Sequence, residues 1–229
     1  MMRSTRYALY YAPEPGAFAD RAAALLGWDA GRGSEVLPPD LIGLPRPLAD
    51  ITAAPGRYGF HGTVKPPFRL AAGQGLDALD RTCAAFCARH APVALLGLRL
   101  DRIGGFLALT PEGDAGPLVA LAAQAVRMLD PFRAPLTPAE IARRRPDRLT
   151  EAERRNLALW GYPYVMEAFR FHLTLTGELA PDEIAPVEAA LGPYLWPVLP
   201  RPFVIADLCL FGEAADGRFH LLHRYPLTG

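Results

Sequence analysis

Apolar residues run without a break from Tyr7 to Tyr11, which reads as a strand. A helical pattern follows over residues 17–26 and stops at Gly27. Residues 31–56 are rich in Gly and Pro with weak periodicity, so they read as a long loop with short local pieces. Residues 60–68 read as a strand, which Pro66 and Pro67 should end or confine to an edge. Leu76, Leu79, Cys83, Phe86 and His90 recur every three or four residues and predict a helix over 76–90. Strands are expected over 93–100 and 106–110, with a turn at 101–105. Pro117 suits the first turn of a helix over 117–129. Thr137 with Glu140, and Thr150 with Glu153, have capping-box spacing. A strand over 168–176 ends at Gly177, a helix covers 182–191, and strands over 203–210 and 218–223 flank a turn-rich GEAADG segment.

This order contains a repeat. A helix follows His61 and a strand then starts at Val93. A helix follows His172 and a strand then starts at Phe203. Each of those strands leads through a turn into a partner strand. The strand at 7–11 is the counterpart of the one at 106–110, because each precedes a helix and then a histidine strand. The mixture predicts an α+β fold of one domain with two similar lobes. Residues 12–105 hold most of the His61 lobe and 106–229 the His172 lobe, with Tyr7–Tyr11 pairing across the repeat.

Composition narrows the possibilities. The 229 residues are 51% apolar, enough for a substantial core, and argue against disorder. Lys plus Arg and Asp plus Glu number 24 each, so no overall field draws the chain to nucleic acid or an anionic membrane. Three cysteines, Cys83, Cys87 and Cys209, imply no disulfide framework and read as core thiols. The N-terminal segment lacks the apolar run of a signal peptide, and no window is apolar enough to span a membrane. The expected location is the cytoplasm.

The chemistry concentrates in two strings, FHGTVKPPF at 60–68 and FRFHLTLTG at 169–177. Strand alternation puts His61, Thr63 and Lys65 on one face, and Arg170, His172, Thr174 and Thr176 on one face of the other strand. The opposite faces carry Phe60, Val64, Phe169, Phe171, Leu173 and Leu175. Two strands that share Phe-His-x-Thr within matching surroundings point to one shared functional face. Two imidazoles at one cleft suit a phosphodiester: one takes a proton from the attacking hydroxyl or water, and the other gives one to the leaving oxygen. Threonine hydroxyls donate to the non-bridging phosphate oxygens. Lys65 and Arg170 add positive charge, and Arg143, Arg144 and Arg145 form a basic run broken by Pro146.

Two histidines without neighbouring carboxylates are too few to hold zinc, so no metal and no cofactor are expected. His220 and His223 fall on opposite strand faces, and His90 reads as the end of a helix. Glycine fingerprints for nucleotide binding are absent.

HGTV at 61–64 and HLTL at 172–175 resemble the paired His-x-Thr/Ser-x motifs of the 2H phosphoesterase superfamily. That resemblance implies two pseudo-symmetric lobes with antiparallel sheets, flanked by helices, around a central cleft. It implies His61 and His172 as the acid/base pair and Thr63 and Thr174 as phosphate binders. The longer strings YGFHGTVKPPF and FRFHLTLTG are similar to the DUF1045 family, associated with phosphonate metabolism. There Tyr58, Lys65 and Arg170 are candidates for substrate contacts, and Gly62 lets substrate approach the backbone. The expected activity is metal-independent hydrolysis of a small cyclic phosphodiester. An RNA-end cyclic phosphodiesterase or 2',5'-ligase-like enzyme, and a phosphate-ligand binding protein without turnover, are the alternatives. The expected partner is a small phosphorylated substrate, with RNA second and no membrane.

Overall fold

The structure is a computed structural model and describes residues 4–229. Strand β1 (Tyr7–Tyr11) leads to helix α1 (Ala17–Leu26), the short pair β2 (Trp28–Asp29) and β3 (Ser34–Glu35), and helix α2 (Leu48–Gly56). Strand β4 (Gly62–Phe68) is followed by α3 (Leu76–Cys87), β5 (Val93–Leu95), β6 (Gly97–Ile103), β7 (Phe106–Glu112) and α4 (Gly116–Leu129). Next come α5 (Pro138–Arg143), α6 (Glu151–Trp160), β8 (Leu173–Thr174), α7 (Ile184–Leu195), β9 (Phe203–Ile205), β10 (Asp207–Glu213) and β11 (Phe219–Pro226). Seven of the strands form one antiparallel sheet in the order β11-β10-β1-β4-β8-β7-β6, which makes the fold α+β.

The sheet joins at its middle through residues in equivalent places of the repeat. Gly62 follows His61, Leu173 follows His172, and the two pair with each other. A separate two-stranded ladder does the same: Val93 pairs with Ile205, Ala94 with Val204 and Leu95 with Phe203. β1 pairs with β4 on one side and with β10 on the other.

β1 is apolar at every position because both of its faces are covered. Leu9 and Tyr11 belong to the main core, with Val64, Leu109 and Leu173 from neighbouring strands and Leu25, Leu79, Leu121 and Val187 from the helices. Ala8 and Tyr10 face the other way, into a smaller cluster with Trp28, Phe211 and Phe219. Both capping boxes form: Thr137 accepts from the Glu140 amide and Thr150 from the Glu153 amide. The segment they begin is tied to the end of β4, where Arg69 meets Glu140 at 2.9 Å and the Ala134 amide donates to the Arg69 carbonyl. All three cysteines are buried free thiols, and burial pushes each thiol up, Cys87 to about 12.

The structure corrects several expectations. The strands expected over 93–100 and 203–210 each break in two, β5 and β9 forming one ladder while β6 and β10 join the large sheet. Residues 31–56, expected as a long loop with short local pieces, end in a full helix, because α2 closes that stretch and buries Leu48, Ile51 and Pro55. The expected strand over 168–176 shrinks to Leu173–Thr174, preceded by a single helical turn at Met166–Ala168. Beyond it Thr176 turns inward, where its hydroxyl accepts from the Leu107 amide and donates to the Gly177 carbonyl. The prolines do not end β4: the strand runs through Pro66 and Pro67 to Phe68, with irregular register against β1.

Candidate active site

His61 and His172 each stand immediately before the first residue of a strand, β4 and β8. Each ring is fixed in the same way. His61 Nδ1 lies 2.9 Å from the Gly59 carbonyl, and His172 Nδ1 lies 2.8 Å from the Arg170 carbonyl. A carbonyl only accepts, so each Nδ1 carries the proton and Nε2 is the nitrogen left for proton exchange. Gly59 adopts φ +71, a left-handed conformation that favours glycine, and a Cβ there would meet the Ala30 Cβ at 2.7 Å. That turn is how the carbonyl two residues back reaches the His61 ring.

The Gly62–Leu173 pair fixes what lies around the rings. In an antiparallel ladder centred on that pair, His61 falls opposite Thr174 and Thr63 opposite His172. Gly62 and Leu173 are buried, on the core side, while the two histidines and two threonines are half-buried. The sequence-predicted quartet is thus gathered at the central strand junction. His61 stacks under Tyr10 with ring centroids 3.9 Å apart, and Tyr58 sits 5.8 Å away. Phe106 lies 5.7 Å from the His172 ring.

These surroundings set the protonation. Burial lowers His61 from the ordinary histidine value to about 4, against the opposing hydrogen bond to Gly59, and the charge of His172 adds to the lowering. Burial also lowers His172, against its bond to Arg170. Burial raises Tyr10 well above the ordinary phenol value, with Tyr58 and Tyr162 adding to the rise.

Lys65 is not on the histidine face. Tyr10 pairs with Thr63 but Leu9 pairs with Lys65, so an extra residue enters β4 at this point. The bulge turns Lys65 to the core side with Val64. Its side chain is 1% exposed, with the ammonium 3.2 Å from the Val126 carbonyl and 3.3 Å from Asp130. Burial lowers it to about 8, although Asp130 opposes the shift. Gly62 does not open the backbone to a substrate either: a Cβ there would meet the Phe171 ring at 2.3 Å. The Arg170 side chain is exposed, and its carbonyl is what reaches the site. Tyr58 is half-buried, stacked on Phe219 with centroids 4.9 Å apart. Arg144 lies over the Tyr162 ring at 4.7 Å, while Arg143 and Arg145 are exposed. His90 bonds through Nδ1 to the Phe86 carbonyl beyond the end of α3.

Among the described residues, no three His, Cys, Asp or Glu side chains group in a way that would hold a metal, and no helix is long and apolar enough to cross a membrane. The family described as protein of unknown function DUF1045 matches residues 63–220. The chain belongs to the DUF1045 family. Two curated relatives are named ribose 1,5-bisphosphate phosphokinase PhnN. The one from Janthinobacterium sp. (strain Marseille) is 39% identical over 76% of this chain, and the one from Laribacter hongkongensis (strain HLHK9) is 35% identical over 93% of it. This DUF1045 chain spans 39% and 49% of those relatives' lengths. It is also similar to solved structures of a phosphoesterase (14% identical, 99% of this chain and 100% of that one, TM-score 0.45) and of TT0787 of Thermus thermophilus (15%, 98% of each, TM-score 0.45). E. coli LigT complexed with phosphate is similar at 14% identity, 99% of each chain and TM-score 0.45.

Sequence reasoning did not single out Tyr10, Phe106 or Gly59 in this DUF1045 chain. Tyr10 was hidden in an all-apolar strand, where alternation gives no sign of which face is chemical. Phe106 reads as an ordinary strand residue. For Gly59 the signal was available: a glycine two residues before a candidate histidine marks a backbone that can turn its carbonyl toward the ring.

Proposed function

We propose that the chain hydrolyses a small cyclic phosphodiester, with His61 and His172 as a paired general base and general acid and with no metal in the reaction. The mirrored Nδ1-to-carbonyl bonds carry this reading, because they leave two Nε2 atoms as the proton-exchanging positions beside the two threonines. One neutral imidazole takes a proton from water as the water oxygen bonds to phosphorus. The ring P–O bond breaks, and the other imidazole, protonated, delivers its Nε2 proton to the departing oxygen. The product is a phosphomonoester with a free hydroxyl beside it. Thr63 and Thr174 donate hydroxyl hydrogen bonds to the non-bridging oxygens.

A ribose cyclic phosphate is the substrate class we favour. The curated relatives are named for ribose 1,5-bisphosphate, and opening a cyclic phosphate on ribose leaves a ribose phosphomonoester. The resemblance of YGFHGTVKPPF and FRFHLTLTG to proteins of phosphonate metabolism supports that setting, in the cytoplasm. An RNA-end cyclic phosphate is the second reading, favoured by a basic cavity of about 330 Å³ beside Tyr58. Ribose cyclic phosphates and short RNAs with a 2',3'-cyclic end, assayed together, separate the two. A preference for the RNA by kcat/KM would displace the small substrate.

The lowered histidine values give a signed pH dependence. The pair must hold one proton, and burial disfavours that proton in the free protein. The bell in kcat/KM is therefore expected on the acid side of about 6.5, the ordinary histidine value. A bound phosphate anion favours the imidazolium, so the kcat bell should lie at higher pH. The two limbs belong to the pair rather than to either residue. Steady-state profiles check this; a kcat/KM optimum well above neutrality would contradict it. Dialysis against EDTA should leave turnover intact, and activity restored only by a divalent ion would refute the metal-free step.

A further inference from the structure

The carboxylates around the basic cavity beside Tyr58 are already engaged. Glu213 holds Arg6, Glu140 holds Arg69, and Asp130 serves both Lys65 and Arg133. Three further cavity residues, Arg57, Arg143 and Arg144, form no ion pair among the described residues. The cavity therefore has more cations than its own acids neutralise, within walls that include Pro66, Phe68 and Trp160. Confined positive charge of this kind focuses a field that attracts anions. Guanidinium groups supply the forked donors that phosphate oxygens accept.

The cavity is also next to the histidines. Tyr58 lines it, and the same ring lies 5.8 Å from His61. Arg144 covers the Tyr162 ring, and Tyr162 adds to the rise of Tyr10, whose ring stacks on His61. The Tyr58 ring thus lies between His61 and the cavity that holds the arginines.

We infer that this cavity binds a second phosphate of the substrate, a phosphomonoester carried about one sugar ring away from the cyclic diester, with Arg143 and Arg144 as its principal ligands. This rests on the hydrolytic reading above and adds to it what distinguishes one cyclic phosphate from another. A diester held between the histidines has a single negative charge and leaves the three arginines unmatched. A phosphomonoester near neutral pH supplies up to two more charges. The phosphate is carried by a phosphorylated sugar or by a nucleotide as its 5'-phosphate, and the chemistry recognised is the same.

The test compares ribose 1,2-cyclic phosphate with its 5-phosphorylated form, and a nucleoside 2',3'-cyclic phosphate with and without a 5'-phosphate. In the parent protein the remote phosphate should raise kcat/KM at least about 100-fold in one of the two pairs, and that pair identifies the source. Arg143→Gln with Arg144→Gln should cut this ratio at least about 10-fold, the scale of losing one charge-assisted hydrogen bond. Calorimetry with ribose 5-phosphate supplies a readout that needs no turnover: the parent and His61→Ala should bind it, and the double arginine variant, checked for folding by circular dichroism, should not. A ratio near one in the parent, or a ratio unchanged in the variant, would overturn the inference. If no cyclic phosphate is turned over, ribose 5-phosphate binding that depends on the arginines would uphold the site while the hydrolytic reading fails. Absence of that binding would overturn the site as well.

Discussion

His61→Ala and His172→Ala are each expected to lower kcat by roughly 10² to 10⁴, the usual contribution of a positioned acid or base. The two effects should be similar in kind, because the rings are held by the same bond to the carbonyl two residues back. The double variant should lose far less than the product of the single losses, since removing either partner stops the same concerted proton exchange. Thr63→Val and Thr174→Val should cost less, because each removes one hydroxyl and leaves proton transfer in place. Tyr10 stacks on His61, so truncation there also removes packing. His61→Gln, which keeps volume and a donor, is the companion variant. Single-turnover rates on folded proteins check the set. Near-parental turnover in both histidine variants would contradict the acid/base pair, and a parent protein that binds ligand without turning it over would hand the site to a binding protein.

Gly62→Ala is expected to be the most damaging small change to the fold. The added methyl would stand 2.3 Å from the Phe171 ring, which is itself buried in the core. Either the ring or the strand must move, and Gly62 is the one residue through which β4 pairs with β8. Overpacking of this kind costs about 1–3 kcal/mol, and for a chain of this size each kcal/mol lowers Tm by about 2–4 °C. Activity should fall with it, since His61 and His172 flank that pair. Phe171→Leu makes room, so the double variant should be more stable than the two separate losses add up to. A parental Tm in Gly62→Ala would show that the strand junction does not hold the site together.

Much of the site was readable because it is local. His-x-Thr on a strand fixes which side chains share a face, and the repeated surroundings placed the two motifs in equivalent positions. The capping boxes were readable for the same reason: their partners lie three residues apart. What escaped depends on partners far along the chain. The bulge that turns Lys65 into the core is a mismatch between β4 and β1, and neither strand alone records it. The shortness of β8 comes from the chain around it: a helical turn precedes Leu173, and Thr176 turns in toward Leu107. Helix α2 was missed because Pro55 and the surrounding glycines weaken a stripe of only Leu48, Ile51 and Pro55. The basic cavity gathers Arg6, Arg57, Arg69 and Arg143 from separate segments, which a balanced net charge conceals.

Opening of a cyclic phosphodiester by two histidines without a metal would leave its signature at phosphorus. The most direct measurement is phosphorus NMR of EDTA-treated protein with a panel of ribose cyclic phosphates in ¹⁸O-labelled water. A cyclic diester resonance should give way to a phosphomonoester carrying one ¹⁸O, in the parent and in neither His61→Ala nor His172→Ala. A panel whose resonances shift on binding but never convert, or conversion that persists in both variants, would contradict it.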